Sequence, residues 1–266
     1  MTPAGRGAGQ DGGRTPGGGS TGAGSPAEGA GSPAERSGGA GAGTAAGRAG
    51  TPDDAGRAPV IRTVGENALL VEPADPAEVG ALYRWLRERQ AEGGLPAVEE
   101  IVPAARTVLL DGAADLPALT ALLRSARPTA ADTAPGPLLD VPTVYDGADL
   151  AEVAALWDVS PEAAVRIHSE PEYVVAFCGF APGFGYLTGL PQRYEVPRRA
   201  TPRGSVPAGS VALAGPYTGV YPRSSPGGWQ LLGRTGLVLW DADREPAALL
   251  APGVRVRFTA VRGDRG

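Results

Sequence analysis

From Tyr173 onward the sequence drops the helical period that runs through its middle, and this change most narrows the folds open to the chain. Short apolar runs follow one another at Tyr173 to Phe177, Ser210 to Ala214, Trp229 to Leu232, Gly236 to Trp240 and Val254 to Ala260, each cut off by glycine and proline. Such runs are too short for ordinary helices and too closely punctuated to join into one long element. They predict short strands, and several strands at this spacing predict a closed or nearly closed β-barrel. One more strand, Leu139 to Tyr145, precedes them. Two short helices intervene, one capped by Asp149 with Glu152 three residues on, the other by Ser160 with Pro161 in its first turn.

The residues before the barrel carry a different pattern. Val60 to Glu72 reads as two apolar runs broken by the turn Gly65-Glu66-Asn67. Asp75 then opens a helix in which Val79, Leu82, Trp85 and Leu86 share one face. A second β segment, Val98 to Leu110, is followed by Asp115 and a helix carrying Leu116, Leu119, Leu122 and Leu123. The predicted fold class is α+β: a small N-terminal α/β domain at 59–128, a linker at 129–137 and a β-barrel domain at 138–262. A domain of roughly 70 residues is marginal on its own, because so small a unit buries little of its surface. Residues 1–58 are Gly, Ala, Pro, Ser, Thr and scattered charge, with a short repeat, AGSPAEG then AGSPAER, from Ala23 to Arg36. Such a stretch offers nothing to a core, and a disordered extension is expected.

Composition removes several chemistries. All 24 basic residues are arginine. Without lysine there is no Walker-type phosphate loop, no Schiff base and no amine nucleophile. One histidine, His168, and one cysteine, Cys178, cannot build a three- or four-ligand zinc site or an internal disulfide. Cys178, flanked by Phe177 and Phe180, reads as a small core residue. A net charge of −5 argues against nucleic acid and against anionic membranes. The segment DLAEVAALWDVSPEAAVRIH has the outline of a helix-turn-helix, but its second helix offers only Arg166 and His168 to a phosphate backbone. No stretch reads as a secretory signal or reaches the roughly 20 apolar residues of a membrane span. A cytoplasmic protein is expected.

The functional signal lies between His168 and Thr235, in three blocks framed by proline and glycine: GFAPGFGYL, PRRATPRGSVPAGSV and GPYTGVYPRSSPGGWQLLGRT. Glycine allows close backbone approach and proline holds loops in fixed shapes, so a preorganised cleft is expected. Arg198, Arg199, Arg203, Arg223 and Arg234 cluster there, and guanidinium groups suit carboxylate or phosphate, so the expected ligand is an anion. Arg203, between Pro202 and Gly204, is the leading candidate for the anion clamp. Phe184, Tyr186, Tyr217, Tyr221 and Trp229 are candidate pocket walls, or packing. Ser210, Thr218 and Ser225 supply hydroxyls, but none sits in a nucleophile elbow. His168 is the one side chain suited to carrying a proton near neutrality, with Glu170 placed to orient it. It reads equally as a structural histidine at a helix end.

These blocks, together with GENALLVE, VEEIVPAARTVLL, HSEPEYVVAFCGFAPGFGYLTGLP and LLAPGVRVRF, resemble the allophanate hydrolase subunit 1 family. That family includes the B subunit of 5-oxoprolinase, the kinase inhibitor KipI and part of the carboxyltransferase region of urea carboxylase. The resemblance runs from about Val64 to Phe258 and implies that the barrel is cyclophilin-like. It implies a role as the B subunit of an ATP-dependent 5-oxoprolinase, which cleaves 5-oxo-L-proline to L-glutamate with ATP hydrolysis, working with subunits A and C and inactive alone. It leaves open a KipI-like inhibitor of a sensor histidine kinase, or a carboxyltransferase part of urea carboxylase or allophanate hydrolase. Two positions depart from the family's common pattern: Tyr217 stands where relatives have glutamine in GGQTGIYP, and Gly185 stands where PGFPYL has proline.

Overall fold

A computed structural model of the chain describes residues 58–126, 128 and 135–263. The expected disorder at 1–57 and the expected linker at 129–134 lie outside the described residues.

Two hairpins build the first layer. β1 (Val60–Val64) and β2 (Ala68–Glu72) flank the Gly65-Glu66-Asn67 turn, while β3 (Glu100–Pro103) and β4 (Val108–Asp111) form the second hairpin. They join in one antiparallel sheet of order β1-β2-β4-β3. Alternation along the strands puts Leu69, Val71, Val108 and Leu110 on the face covered by the helices. Val79, Leu82 and Leu86 of α1 (Val79–Ala91) and Leu119 and Leu123 of α2 (Leu116–Ser125) complete this core. Asp75 does not open α1 directly. Its carboxylate accepts from the Ala77 N–H at 2.9 Å and caps a 3-10 turn, Pro76–Glu78, that leads into the helix. Trp85 lies at the margin of the core, with the Arg89 guanidinium 5.3 Å above its ring.

The larger sheet comprises β5 (Leu138–Thr143), β6 (Glu172–Cys178), β7 (Gly185–Thr188), β9 (Ser210–Ala214), β10 (Tyr217–Val220), β12 (Gln230–Arg234) and β13 (Arg255–Ala260). Its order is β12-β9-β10-β7-β6-β13-β5, antiparallel except between β5 and β13. The two edges meet: Val144, just past β5, exchanges both backbone hydrogen bonds with Arg234, at 2.9 and 2.8 Å. The sheet is therefore a nearly closed barrel, filled by Val141, Val175, Leu187, Val211, Val220, Val256 and Phe258. α3 (Leu150–Leu156) and α4 (Pro161–Ser169) pack Val153, Ala154 and Ala164 against Leu213 and Leu232. β8 (Arg203–Val206) and β11 (Ser225–Gly227) pair as a separate two-stranded ribbon.

The strand expected at Gly236 to Trp240 does not form. Apart from a single bridge between Trp240 and Ala248 the segment is a loop, and the Arg244 guanidinium takes the Val238 and Leu239 carbonyls at 2.9 and 3.3 Å in place of a neighbouring strand. Among the described residues no helix is long and apolar enough to cross a membrane.

Candidate functional site

Segments distant in sequence converge on one carboxylate at the start of α3. Asp149 is only 2% exposed. Its Oδ1 accepts from Arg199 Nη1 at 2.6 Å and Arg203 Nη2 at 2.7 Å, and its Oδ2 from Arg203 Nη1 at 2.8 Å and the Leu231 N–H at 2.7 Å. Arg203 thus grips it with both arms of its fork, the geometry a planar guanidinium favours. Burial alone would raise the Asp149 pKa. The hydrogen bonds from Arg203 and Leu231 and the charges of both arginines outweigh that and hold it below the usual carboxylate range. The same contact raises the Arg203 pKa.

This node changes two expectations. Asp149 was expected to cap α3, but its side chain makes no capping bond, because all its acceptor capacity is directed at the arginines and β12. Arg199 and Arg203 were expected to stand ready for an external anion, yet each already holds a carboxylate of its own chain. They keep donors in reserve. A guanidinium has five N–H groups, the Arg203 side chain is 24% exposed, and Arg199 Nε is buried with no protein partner.

The expected aromatic walls form one contiguous layer with two depths. Phe184, Tyr221 and Trp229 are buried and pack edge to face, with Phe184 5.5 Å from Tyr221 and 5.4 Å from Trp229. They serve as packing. The layer lies on small residues: a Cβ on Gly219 would come within 2.8 Å of Phe184 and 2.9 Å of Trp229, so only glycine admits both rings. Tyr186 and Tyr217 are half-buried, Tyr186 stacked on Phe177 at 4.3 Å and Tyr217 set edge-on to both. Phe180 completes the layer from outside. It is 58% exposed, has a φ of +64°, and is spanned by a hydrogen bond from the Ala181 N–H to the Gly179 carbonyl at 2.7 Å. A tight γ-turn of this hand is costly for a bulky residue, and strain of this kind gathers at functional sites.

His168 is not part of this surface. It is fully buried, with Nδ1 2.7 Å from the Tyr145 hydroxyl and Nε2 3.4 Å from the Thr218 hydroxyl, and its ring lies 4.7 Å from that of Phe258. Burial pushes its pKa down to about 3, so the imidazole is neutral at physiological pH. Glu170 is exposed and makes none of these contacts. The expectation of a proton carrier is corrected accordingly: His168 and Thr218 tie helix α4 to the barrel interior. Tyr173, which donates to the His168 carbonyl at 2.9 Å, seals the same node.

The other expected residues scatter. Ser210 is buried and donates to the Pro207 carbonyl at 2.8 Å, which makes it a turn residue. Arg234 lies on the barrel seam, exposed, and pairs with Asp146 at 2.9 Å. Such a pair contributes at most about 1 kcal/mol. Ser225, on β11 opposite Val206, has a buried hydroxyl with no protein partner. Cys178 donates to the Leu250 carbonyl, and burial pushes its thiol up to about 11, as suits a packed thiol. Among the described residues no group of His, Cys, Asp and Glu is arranged to hold a metal ion.

Comparison with known proteins fixes what this arrangement belongs to. The family model for the carboxyltransferase domain, subdomains C and D, matches residues 59–250. The chain belongs to this carboxyltransferase-domain family. Within it, the B subunit of 5-oxoprolinase from Escherichia coli O157:H7 is 44% identical over 203 residues, 73% of this chain and 93% of that protein. The crystal structure of TTHA0988 is similar at 32% identity and a TM-score of 0.62, over 78% of this chain; the match spans 41% of that longer chain. The urea amidolyase of K. lactis, at 20% identity and a TM-score of 0.56 over 77% of this chain and 15% of its own, shares the fold. The matched span takes in every element that builds the Asp149 node and the aromatic layer.

Proposed function

We propose that the chain is the B subunit of a cytoplasmic 5-oxoprolinase, a complex with subunits A and C that cleaves 5-oxo-L-proline to L-glutamate with ATP hydrolysis. The observation that carries this reading is the 44% identity to the E. coli protein of that name across 93% of its length. The urea amidolyase likeness concerns fold and gives no separate support to a carboxyltransferase reaction.

No ATP-binding motif can be read from this chain's own residues. The sequence has no lysine for a phosphate loop, and the Asp75, Asp115 and Ser160 side chains already cap the helical starts they precede. The reading therefore assigns the nucleotide to a partner subunit.

What this chain contributes is a wall. Attack on a lactam carbonyl places negative charge on its oxygen, and donors fixed in advance stabilise that charge. Arg203, held by Asp149, is such a donor, with its remaining N–H groups available. The half-buried rings of Tyr186 and Tyr217 and the exposed Phe180 offer an apolar surface for the carbons of a small ring. His168 takes no part. The test is co-expression with the genes for subunits A and C and an assay of ATP-dependent glutamate release from 5-oxo-L-proline. Turnover is expected only from the assembled complex; a complex that forms and releases no glutamate, or that inhibits a histidine kinase instead, refutes the reading.

A further inference from the structure

A cavity of about 360 Å³ lies where α1 and the β3–β4 loop face strands β6 and β7 of the barrel, at the low end of the roughly 300–1,000 Å³ in which small-molecule sites fall. It is separate from the Asp149 node and meets the aromatic layer at one residue, Tyr217. Ligand sites favour junctions of this kind between packed layers.

Small residues make the space. Ala77, Gly80, Ala81, Ala104, Ala105 and Ala176 line much of it. Gly80 is informative because it lies inside α1, where glycine is less favourable than alanine. A Cβ at that position would meet nothing within 4 Å, so no neighbouring atom demands a glycine. The open volume in front of it is what its missing side chain preserves. Residues with polar side chains are few in the lining: Tyr83, Arg84, Thr188 and Tyr217. An apolar chamber with a small number of polar groups is the composition of a site that orients a ligand. Arg84, with five N–H groups, can serve a ligand beside a protein partner.

We propose that this cavity binds a small organic acid, its ring or short aliphatic body against the alanines and its carboxylate met by Arg84 and the surrounding hydroxyls. The inference goes beyond the proposed complex, because the isolated full chain binds the acid without partners and without turnover. It also gives Tyr217 a role at the junction of cavity and aromatic layer.

Isothermal titration calorimetry on the full chain tests this, with 5-oxo-L-proline and cyclopentanecarboxylate as probes and their methyl esters as controls. Saturable one-to-one binding of at least one acid is expected, with its ester at least about tenfold weaker, since a charge-assisted contact is lost. Gly80→Leu fills the cavity with a residue that helices prefer. Its melting temperature should equal or exceed that of the wild type while binding falls at least about tenfold. Tyr217→Phe should weaken binding roughly two- to tenfold, the worth of one hydrogen bond. Failure of both acids to bind the wild type, or wild-type affinity in Gly80→Leu, overturns the proposal. Glutamate release by the complex without acid binding by the lone chain would sink the cavity and leave the complex standing; binding without any turnover would do the reverse.

Discussion

Two polar nodes anchor the barrel's helices, and they differ in what can reach them. At His168, an imidazole, two tyrosines and a threonine satisfy one another in the interior, with the histidine 0% exposed and neutral. At Asp149, one buried carboxylate faces two arginines whose side chains stay 29% and 24% exposed, with an exposed Glu152 3.6 Å from Arg199. The first node has no charge to offer, and its imidazole is buried. The second combines a fixed orientation with guanidinium N–H groups that reach the surface. Residue type alone favours the histidine as the chemical group; burial reverses that choice. A group that titrates near neutrality in solution is of no use for proton transfer once its charged form is excluded from the fold.

The largest effect that can break this comparison comes from Asp149→Ala. It leaves two guanidinium groups and the Leu231 N–H without their acceptor, and loss of one partner of a buried pair costs about 3–5 kcal/mol, toward the lower end here because the arginines can turn to water. Urea denaturation measures it. The pH dependence has a definite sign. The folded-state pKa of Asp149 is depressed, so its stabilisation is present above the unfolded value near ~4 and is lost as pH falls through the lower folded value. The gap between wild type and Asp149→Asn should therefore narrow below about pH 4. A gap that widens in acid would contradict the assignment of the charge.

His168→Gln comes next, at about 1–3 kcal/mol, because Tyr145 is left with a poorly placed partner. Here too linkage gives the direction. The unfolded imidazole takes up a proton near 6.5 and the folded one only near about 3, so wild-type stability should fall as pH drops between those values and be flat, for this group, above them. The variant should lose that slope. If wild type and variant fall in parallel between pH 6.5 and 3, His168 is not sealed as described.

Phe180→Gly should have the smallest effect on stability, within about 0.5 kcal/mol by thermal melt. The ring is mostly exposed, and glycine relieves the left-handed backbone that the turn requires. Its effect belongs to turnover or assembly. A substantial loss of melting temperature would mean that the ring is structural after all.

Much of this architecture was legible in the sequence, for identifiable reasons. The β1–β2 hairpin, the leucine face of α2 and strand β9 follow from period and turn chemistry, which act locally. β7, β8, β10 and β11 were not separately legible, since runs of three or four residues, each with a glycine, are too short to show alternation. At the site, the arginine-bearing block and the aromatics stood out by composition. Asp149 did not, because an aspartate before a helix satisfies the capping rule without further contacts, and its real partners lie 50, 54 and 82 residues away. Phe180 was hidden for a related reason. A left-handed backbone is invisible in a sequence unless glycine or asparagine announces it.

The most direct test of the whole account sets the two nodes against each other in one assay: initial rates of ATP-dependent glutamate release by assembled complexes carrying Arg203→Lys or His168→Gln, at a temperature where both are folded. Lysine keeps the charge at 203 but loses the fork, and the loss of a charge-assisted contact of about 1.5–3 kcal/mol corresponds to a rate roughly tenfold to a hundredfold below wild type. The His168→Gln complex should run within about threefold of wild type, because a neutral, sealed histidine has no part in the reaction. Near-normal turnover with Arg203→Lys alongside collapse with His168→Gln would contradict the account at its centre.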